Sequence, residues 1–138
     1  MKYLFLLTLW AALLLFVLAG CNKADGSKEF EAHYTGTFVR MDGTPLNDPI
    51  VSNVTLNFTN NTFSGTSNVH NYPALCSGTF TISQTRIIVN NTCFFTANFD
   101  WTYIFKGEYN YEQKGNQLRI WRTYPDGTTD IYQLTKQD

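Results

Sequence analysis

Basic clusters are missing from this chain of 138 residues: ten Lys and Arg stand against eleven Asp and Glu, and no cationic run occurs. Nucleic-acid affinity rests on neutralising phosphates, so that class of partner is excluded. Histidine is scarcer still. His33 and His70 lie on separate segments, one on a polar strand face and one in a loop from Asn68 to Pro73, which is a poor basis for a zinc site. No serine sits in a Gly-x-Ser-x-Gly elbow of the hydrolase kind. Helical periodicity is absent after residue 29, which excludes bundles and α/β layers and leaves an all-β chain. An enzyme is not expected, and neither is a cofactor.

What is plentiful is apolar surface at the start. Seventeen of the first twenty residues are apolar and Lys2 is the single charge among them, the pattern of a secretory leader. The stretch Leu4 to Ala19 is also near the lower limit for crossing a bilayer, so an uncleaved membrane anchor is the competing reading. Leu18-Ala19-Gly20-Cys21 resembles the lipobox of bacterial lipoproteins. That resemblance implies a signal peptide over residues 1–20, removed after the Cys21 thiol takes diacylglycerol, and a further acyl chain such as palmitate on the new amine. Several chains hold a protein to a membrane far more firmly than one. Asn22 stands where the proteobacterial sorting rule reads Asp as retention in the inner membrane, so the implied address is the cell envelope at the outer membrane, facing the periplasm or the surface. Residues 21–29 hold Lys23, Asp25, Gly26 and Ser27 without periodicity and read as a lipidated tether, leaving 30–138 as one folded domain.

With Cys21 consumed by lipid, Cys76 and Cys93 remain as an even pair in an oxidising compartment, and a disulfide is expected. The N-x-T sequons at Asn53, Asn57, Asn60 and Asn90 read as turn and strand-edge asparagines in a bacterial protein.

Alternation with period two recurs along the domain. Phe30, Ala32, Tyr34, Gly36 and Phe38 share one face of a first strand, and Val54, Leu56 and Phe58 one face of a second. Asp42-Gly43 and Pro45 mark a long loop between them, and Asn60-Asn61 a turn into a short strand around Phe63. If Gln84-Thr85 is a two-residue turn, Ile82 faces Ile87, Phe80 faces Val89 and Cys76 faces Cys93, although Gln-Thr is not a favoured turn pair. Trp101, Tyr103, Phe105, Gly107, Tyr109 and Tyr111 then occupy one face of a long strand, with Glu108 and Glu112 on the other, so no pair of inward acids of the glycosidase kind forms. A loop at Gln113 to Asn116 places Tyr111 opposite Leu118, Tyr109 opposite Ile120 and Gly107 opposite Arg122. The turn Pro125-Asp126-Gly127 sets Leu118 against Leu134, Ile120 against Tyr132 and Arg122 against Asp130.

Eight or nine short antiparallel strands suit a small up-and-down barrel, whose closure removes exposed edges; an open sandwich is the alternative. Gly36-Thr37-Phe38, Gly115-Asn116-Gln117-Leu118 and Ile131-Tyr132-Gln133-Leu134 resemble the motifs of lipocalin-like bacterial lipoproteins, over roughly Phe30 to Lys136. The resemblance implies a β-barrel that binds a small apolar or amphipathic ligand.

Arg122 is the first candidate for that role, because its register turns a charge toward a face of Tyr, Ile and Leu. Arg122-Thr123-Tyr124 is similar to the Arg-x-Tyr pair with which fatty-acid-binding barrels hold an acidic head. An Arg122–Asp130 ion pair at the rim is the structural alternative. Tyr103, Tyr109 and Tyr132 are candidate wall residues, or simply core. Trp121, on the face of Arg119 and Thr123, is turned outward. Two other classes compete with the ligand binder. One is a protein-interaction module of the lysozyme-inhibitor type, with Asn68 to Leu75 as its presenting loop; the other is a structural envelope lipoprotein without a ligand.

Overall fold

Side chains that alternate between water and an apolar interior generate eight strands. In a computed structural model, which describes residues 30–43 and 49–138, these are β1 (Ala32–Met41), β2 (Val51–Thr59), β3 (Thr62–Ser67), β4 (Ser77–Ser83), β5 (Arg86–Asn91), β6 (Gly107–Lys114), β7 (Gln117–Thr123) and β8 (Thr129–Lys136). The leader, Cys21 and the tether lie outside the described residues. Each strand pairs antiparallel with the next, and β8 pairs back onto β1, so the sheet closes as an up-and-down barrel of eight strands. Closure needs close backbone approach at the seam. A Cβ on Gly36 would stand 1.9 Å from the Gln133 carbonyl oxygen, so only glycine fits there.

The interior is occupied by side chains, which the narrow bore of an eight-stranded barrel allows. Tyr34, Phe38, Leu56, Phe58, Ile120 and Tyr132 are all within 1% of full burial. Two phenylalanines outside the strands plug the ends. Phe30 packs against Phe58, Tyr111 and Phe80 with ring centroids 4.7, 5.3 and 5.7 Å away. At the other end Phe105 meets Tyr132, Tyr109 and Phe63 at 5.0, 5.1 and 5.4 Å.

The turns follow local chemistry in most places. Asn60 and Asn61 take φ of 49° and 59°, the consecutive left-handed residues of a tight hairpin. Gln84 does the same at φ 48° without the usual residue preference. Its turn is held from outside: the Tyr111 hydroxyl donates to the Gln84 carbonyl at 2.8 Å and the Tyr111 N–H to that of Thr85 at 3.0 Å. The β4–β5 register is accordingly the expected one, with Ile82 opposite Ile87 and Phe80 opposite Val89. The β7–β8 register also matches, with Ile120 opposite Tyr132 and Arg122 opposite Asp130.

Two expectations are corrected. The β6–β7 hairpin turns on Gly115-Asn116 alone, so Lys114 pairs with Gln117 and Tyr111 faces Ile120, not Leu118. The slip is two residues, which preserves the inward face. Nor does the strand reach back to Trp101. Trp101–Tyr103 is a 3-10 turn whose start is capped by Asp100, which accepts from the Thr102 N–H at 2.9 Å. Beyond it, Ala74 and Ile104 form a single parallel bridge, and β6 begins only at Gly107, where φ is 97°.

Cys76 and Cys93 form a disulfide with Cα atoms 6.3 Å apart, just outside the ends of β4 and β5. The ladder stops at Gly78 and Asn91, so the bridge continues the pairing where backbone hydrogen bonding thins. Replacing both cysteines by alanine is expected to lower the unfolding free energy by roughly 3 kcal/mol, the chain-entropy value for a loop of this size. Urea unfolding of the double variant checks it, and an unchanged midpoint would refute it.

Candidate functional site

At the end plugged by Phe105, the inward face of the barrel becomes polar. β1 carries Arg40 two residues after Phe38, β7 carries Arg122 two after Ile120, and β8 carries Asp130 two before Tyr132. Asp130 is 2% exposed, so its carboxylate depends on partners within the protein. Arg40 supplies them in a two-pronged contact: Nε donates to Oδ1 at 2.6 Å and a terminal nitrogen to Oδ2 at 2.9 Å. The Tyr124 hydroxyl donates to the same Oδ2 at 2.8 Å. Arg122 comes no closer to Asp130 than 3.6 Å.

The expected Arg122–Asp130 pairing is thus secondary, and the dominant partner comes from the far end of the chain. Arg40 also donates to the Thr102 hydroxyl at 2.7 Å and to its carbonyl at 3.0 Å, and its guanidinium lies 3.8 Å from the centre of the Tyr103 ring. Through these contacts it holds the long connection between β5 and β6 over the mouth. Burial works against the Arg40 charge, but the hydrogen bonds and negative charge of Asp130 outweigh it and raise its pKa further. Tyr124 is pushed up to about 12, first by burial and then by its hydrogen bond to Asp130 and that carboxylate's charge. Asp100, 3.7 Å from Arg40, is held below the usual carboxylate range, chiefly by the Thr102 N–H.

Arg122 is held differently. One terminal nitrogen donates to the Lys106 carbonyl at 2.9 Å, the other to the Tyr124 hydroxyl, and the guanidinium covers the rings of Tyr109 and Tyr124 at 4.4 and 4.5 Å. Gly107 makes room: a Cβ there would lie 3.3 Å from the Arg122 guanidinium. The Arg122 Nε is buried and has no acceptor among the described residues.

The sequence-derived residues therefore gather at one end but not in one cavity. Arg122 and Tyr124 line a pocket of about 520 Å³ beside the mouth. Tyr109 forms the floor beneath the Arg122 guanidinium, and Tyr132 is fully buried below it; burial raises the pKa of both phenols. Tyr103 stacks on Arg40 and on Tyr72, whose ring centroid is 4.7 Å away. Cys21 lies outside the described residues. Sequence reading missed Arg40 and Asn91. Both signals existed: Arg40 continues the inward row Tyr34, Gly36, Phe38, and Asn91 the row Ile87, Val89.

The Asn68 to Leu75 loop turns inward, with Pro73 and Ala74 buried and Tyr72 accepting from the Arg40 N–H at 3.2 Å. Trp121 is half-buried beneath Arg119, 4.9 Å from its ring. Among the described residues no three His, Cys, Asp or Glu side chains converge to hold a metal ion, and no helix is long and apolar enough to cross a membrane. No protein-family model, curated protein or solved structure matches the chain.

Two outcomes follow from this geometry. Arg40→Met should lower the unfolding free energy by about 3 kcal/mol, because it removes the two-pronged contact to a buried carboxylate and leaves it the Tyr124 hydroxyl and a more distant guanidinium, whereas Arg122→Met should cost less than about 1 kcal/mol; equal losses in denaturant unfolding would contradict the assignment of partners. Because the Tyr124 pKa is raised from 10.0 to about 12, the unfolded chain loses this proton first as pH rises, so the stability this residue contributes is complete below pH 10 and is lost toward pH 12, alongside the losses from the buried phenols of Tyr109 and Tyr132. Tyr124→Phe should flatten that decline, measured by thermal unfolding across the alkaline range.

Proposed function

We propose that this chain is a membrane-anchored lipoprotein whose barrel binds a small amphipathic molecule with an acidic head, and that it is a binder and not an enzyme. The observation that carries this reading is the division of labour at the mouth. Arg40 and the Tyr124 hydroxyl supply the hydrogen bonds to Asp130, and Arg122, 3.6 Å from that carboxylate, makes none to it and lies on the wall of the pocket. A guanidinium on the wall of a pocket, not hydrogen-bonded to the carboxylate beside it, suits an acidic group from outside.

The filled interior moves the ligand from the centre of the barrel to its mouth. Phe105 seals the mouth over Tyr109 and Tyr132, and the 520 Å³ pocket beside Arg122 has the size of a small-molecule site. A presenting loop of the inhibitor kind gains no support, since Asn68 to Leu75 spends Tyr72, Pro73 and Ala74 on the barrel.

Native mass spectrometry of the full-length product, purified from its host in mild detergent, tests both halves of the reading. The protein should begin at Cys21 and carry acyl chains, and it should retain an acidic molecule of a few hundred daltons that the Arg122→Gln variant releases. An unlipidated chain would remove the anchor, and a ligand-free protein would remove the binding role.

A further inference from the structure

The connections of an up-and-down barrel divide between its two ends. One end carries the turns Asn60-Asn61, Gln84-Thr85 and Gly115-Asn116, all small or polar. Among the described residues, large hydrophobic side chains are exposed at Met41, Ile50, Val51, Ile88, Phe94 and Trp101, Phe94 completely. All but Ile88 belong to the other end: Met41 closes β1, Ile50 and Val51 open β2, and Phe94 and Trp101 stand on the β5–β6 connection. Exposed apolar residues gathered at one end mark it as a surface that meets something apolar.

Strands β1–β2 and β5–β6 lie on opposite sides of the closed sheet, and two tyrosines join them across the mouth. The Tyr72 hydroxyl donates to the Ile50 carbonyl at 3.2 Å, and the Tyr72 ring stacks 4.7 Å from that of Tyr103. Tyr103 ends the 3-10 turn that Trp101 begins, so an apolar strip runs from Ile50 to Trp101. The polar atoms at both ends of this strip are matched within the protein, since the Trp101 indole N–H donates to the Thr96 carbonyl at 3.2 Å. Rings whose donors are already spent enter an apolar medium without stranding a polar group.

Charge narrows the choice of medium. Asp42, Asp100, Asp126 and Asp130 stand at this end against Arg40, Lys106 and Arg122, so acids outnumber bases and a polyanion or an anionic surface is not attracted. Separate apolar tips that include a tryptophan, set over a mouth already filled by Tyr72, Tyr103 and Phe105, suit a soft and uncharged lipid interface. The tether of a lipoprotein has the reach for it. Cys21 stands nine residues before Phe30, at the polar end, and nine extended residues span about 30 Å. The ten residues of β1, tilted as in barrels of this size, rise roughly 25 Å.

We infer that the rim carrying Met41, Ile50, Val51, Phe94 and Trp101 seats on the uncharged lipid interface of the membrane that holds the anchor. Phe94 and Trp101 also line the pocket beside Arg122, so that pocket opens toward the bilayer and an amphiphile passes into it from the lipid. The inference rests on the reading of the chain as a lipoprotein for its tether, and adds the orientation of the domain and the route by which a ligand arrives.

Fluorescence of the full-length protein, lipidated by its host and inserted in phosphatidylcholine vesicles, tests the seating. In Trp10→Phe/Trp121→Phe, Trp101 is the one tryptophan left. Phosphatidylcholine brominated along its acyl chains should quench its emission at least twofold, and the emission should shift to shorter wavelength. Adding Ile50→Ser and Phe94→Ser together should remove at least half of that quenching, and adding Ile88→Ser should leave it unchanged. All three side chains are exposed, so the core stays intact, and matching urea midpoints verify that the variants are folded. Replacing part of the lipid by phosphatidylglycerol should not strengthen the effect. An unquenched Trp101 overturns the inference, whether the rim then meets water, a second copy or a protein partner; acyl chains found on Cys21 by mass spectrometry show that the lipoprotein reading survives that failure. Quenching that needs the anionic lipid overturns the apolar mode of seating, and equal losses in the rim and Ile88 variants overturn the location. A chain that proves unlipidated ends the anchor, and the same vesicles, supplied in excess, then decide the rim by the same quenching.

Discussion

A single guanidinium–carboxylate clasp, Arg40 on Asp130, organises everything at the open end of the barrel. It joins β1 to β8 across the closing seam, where Arg40 and Asp130 are register partners, and so belongs to the closure of the sheet itself. The same guanidinium reaches Thr102 and stacks on Tyr103, tying the β5–β6 connection to the seam. Paired and multiply hydrogen-bonded, the two charges tolerate burial that neither could bear alone. A second arginine on the same rim, Arg122, stands 3.6 Å from that carboxylate and spends its hydrogen bonds on Lys106 and Tyr124.

The crowded interior is the second constraint. A barrel of eight strands encloses a space that tyrosine and phenylalanine rings fill, and here rings from outside the strands complete the filling at both ends. The space left open lies at the rim, where the sheet ends and loops begin. There, exposed aromatic rings lie close to Arg122 without disturbing the core, and a disulfide and the hydrogen bonds of Arg40 to Thr102 hold the loop that carries the rings.

Local information was sufficient wherever two neighbouring segments had only to find each other. Asn60-Asn61 and Pro125-Asp126-Gly127 carry their turns in their own backbone preferences, and the β4–β5 register follows from apolar pairs and the two cysteines counted outward from Gln84-Thr85. It failed where a tertiary contact chose between local options. Gly115-Asn116 closes a tighter hairpin than the expected four-residue loop, and both registers keep Tyr109 and Tyr111 inside, so polarity could not separate them. The alternation at Trp101, Tyr103 and Phe105 imitates a strand. Asp100 caps a turn there, and the segment's hydrogen bonds go to Ala74, a partner distant in sequence.

By itself the sequence determined the all-β class, the inward face of each strand and the pairing of Cys76 with Cys93, because period two and short connections are properties of neighbouring residues. It also set the polar residues that continue those faces, Arg40, Asn91, Arg122 and Asp130. Only the tertiary structure decided which arginine holds Asp130. Arg40 is 90 positions away from it in the chain, and barrel closure alone brings the two within 2.6 Å.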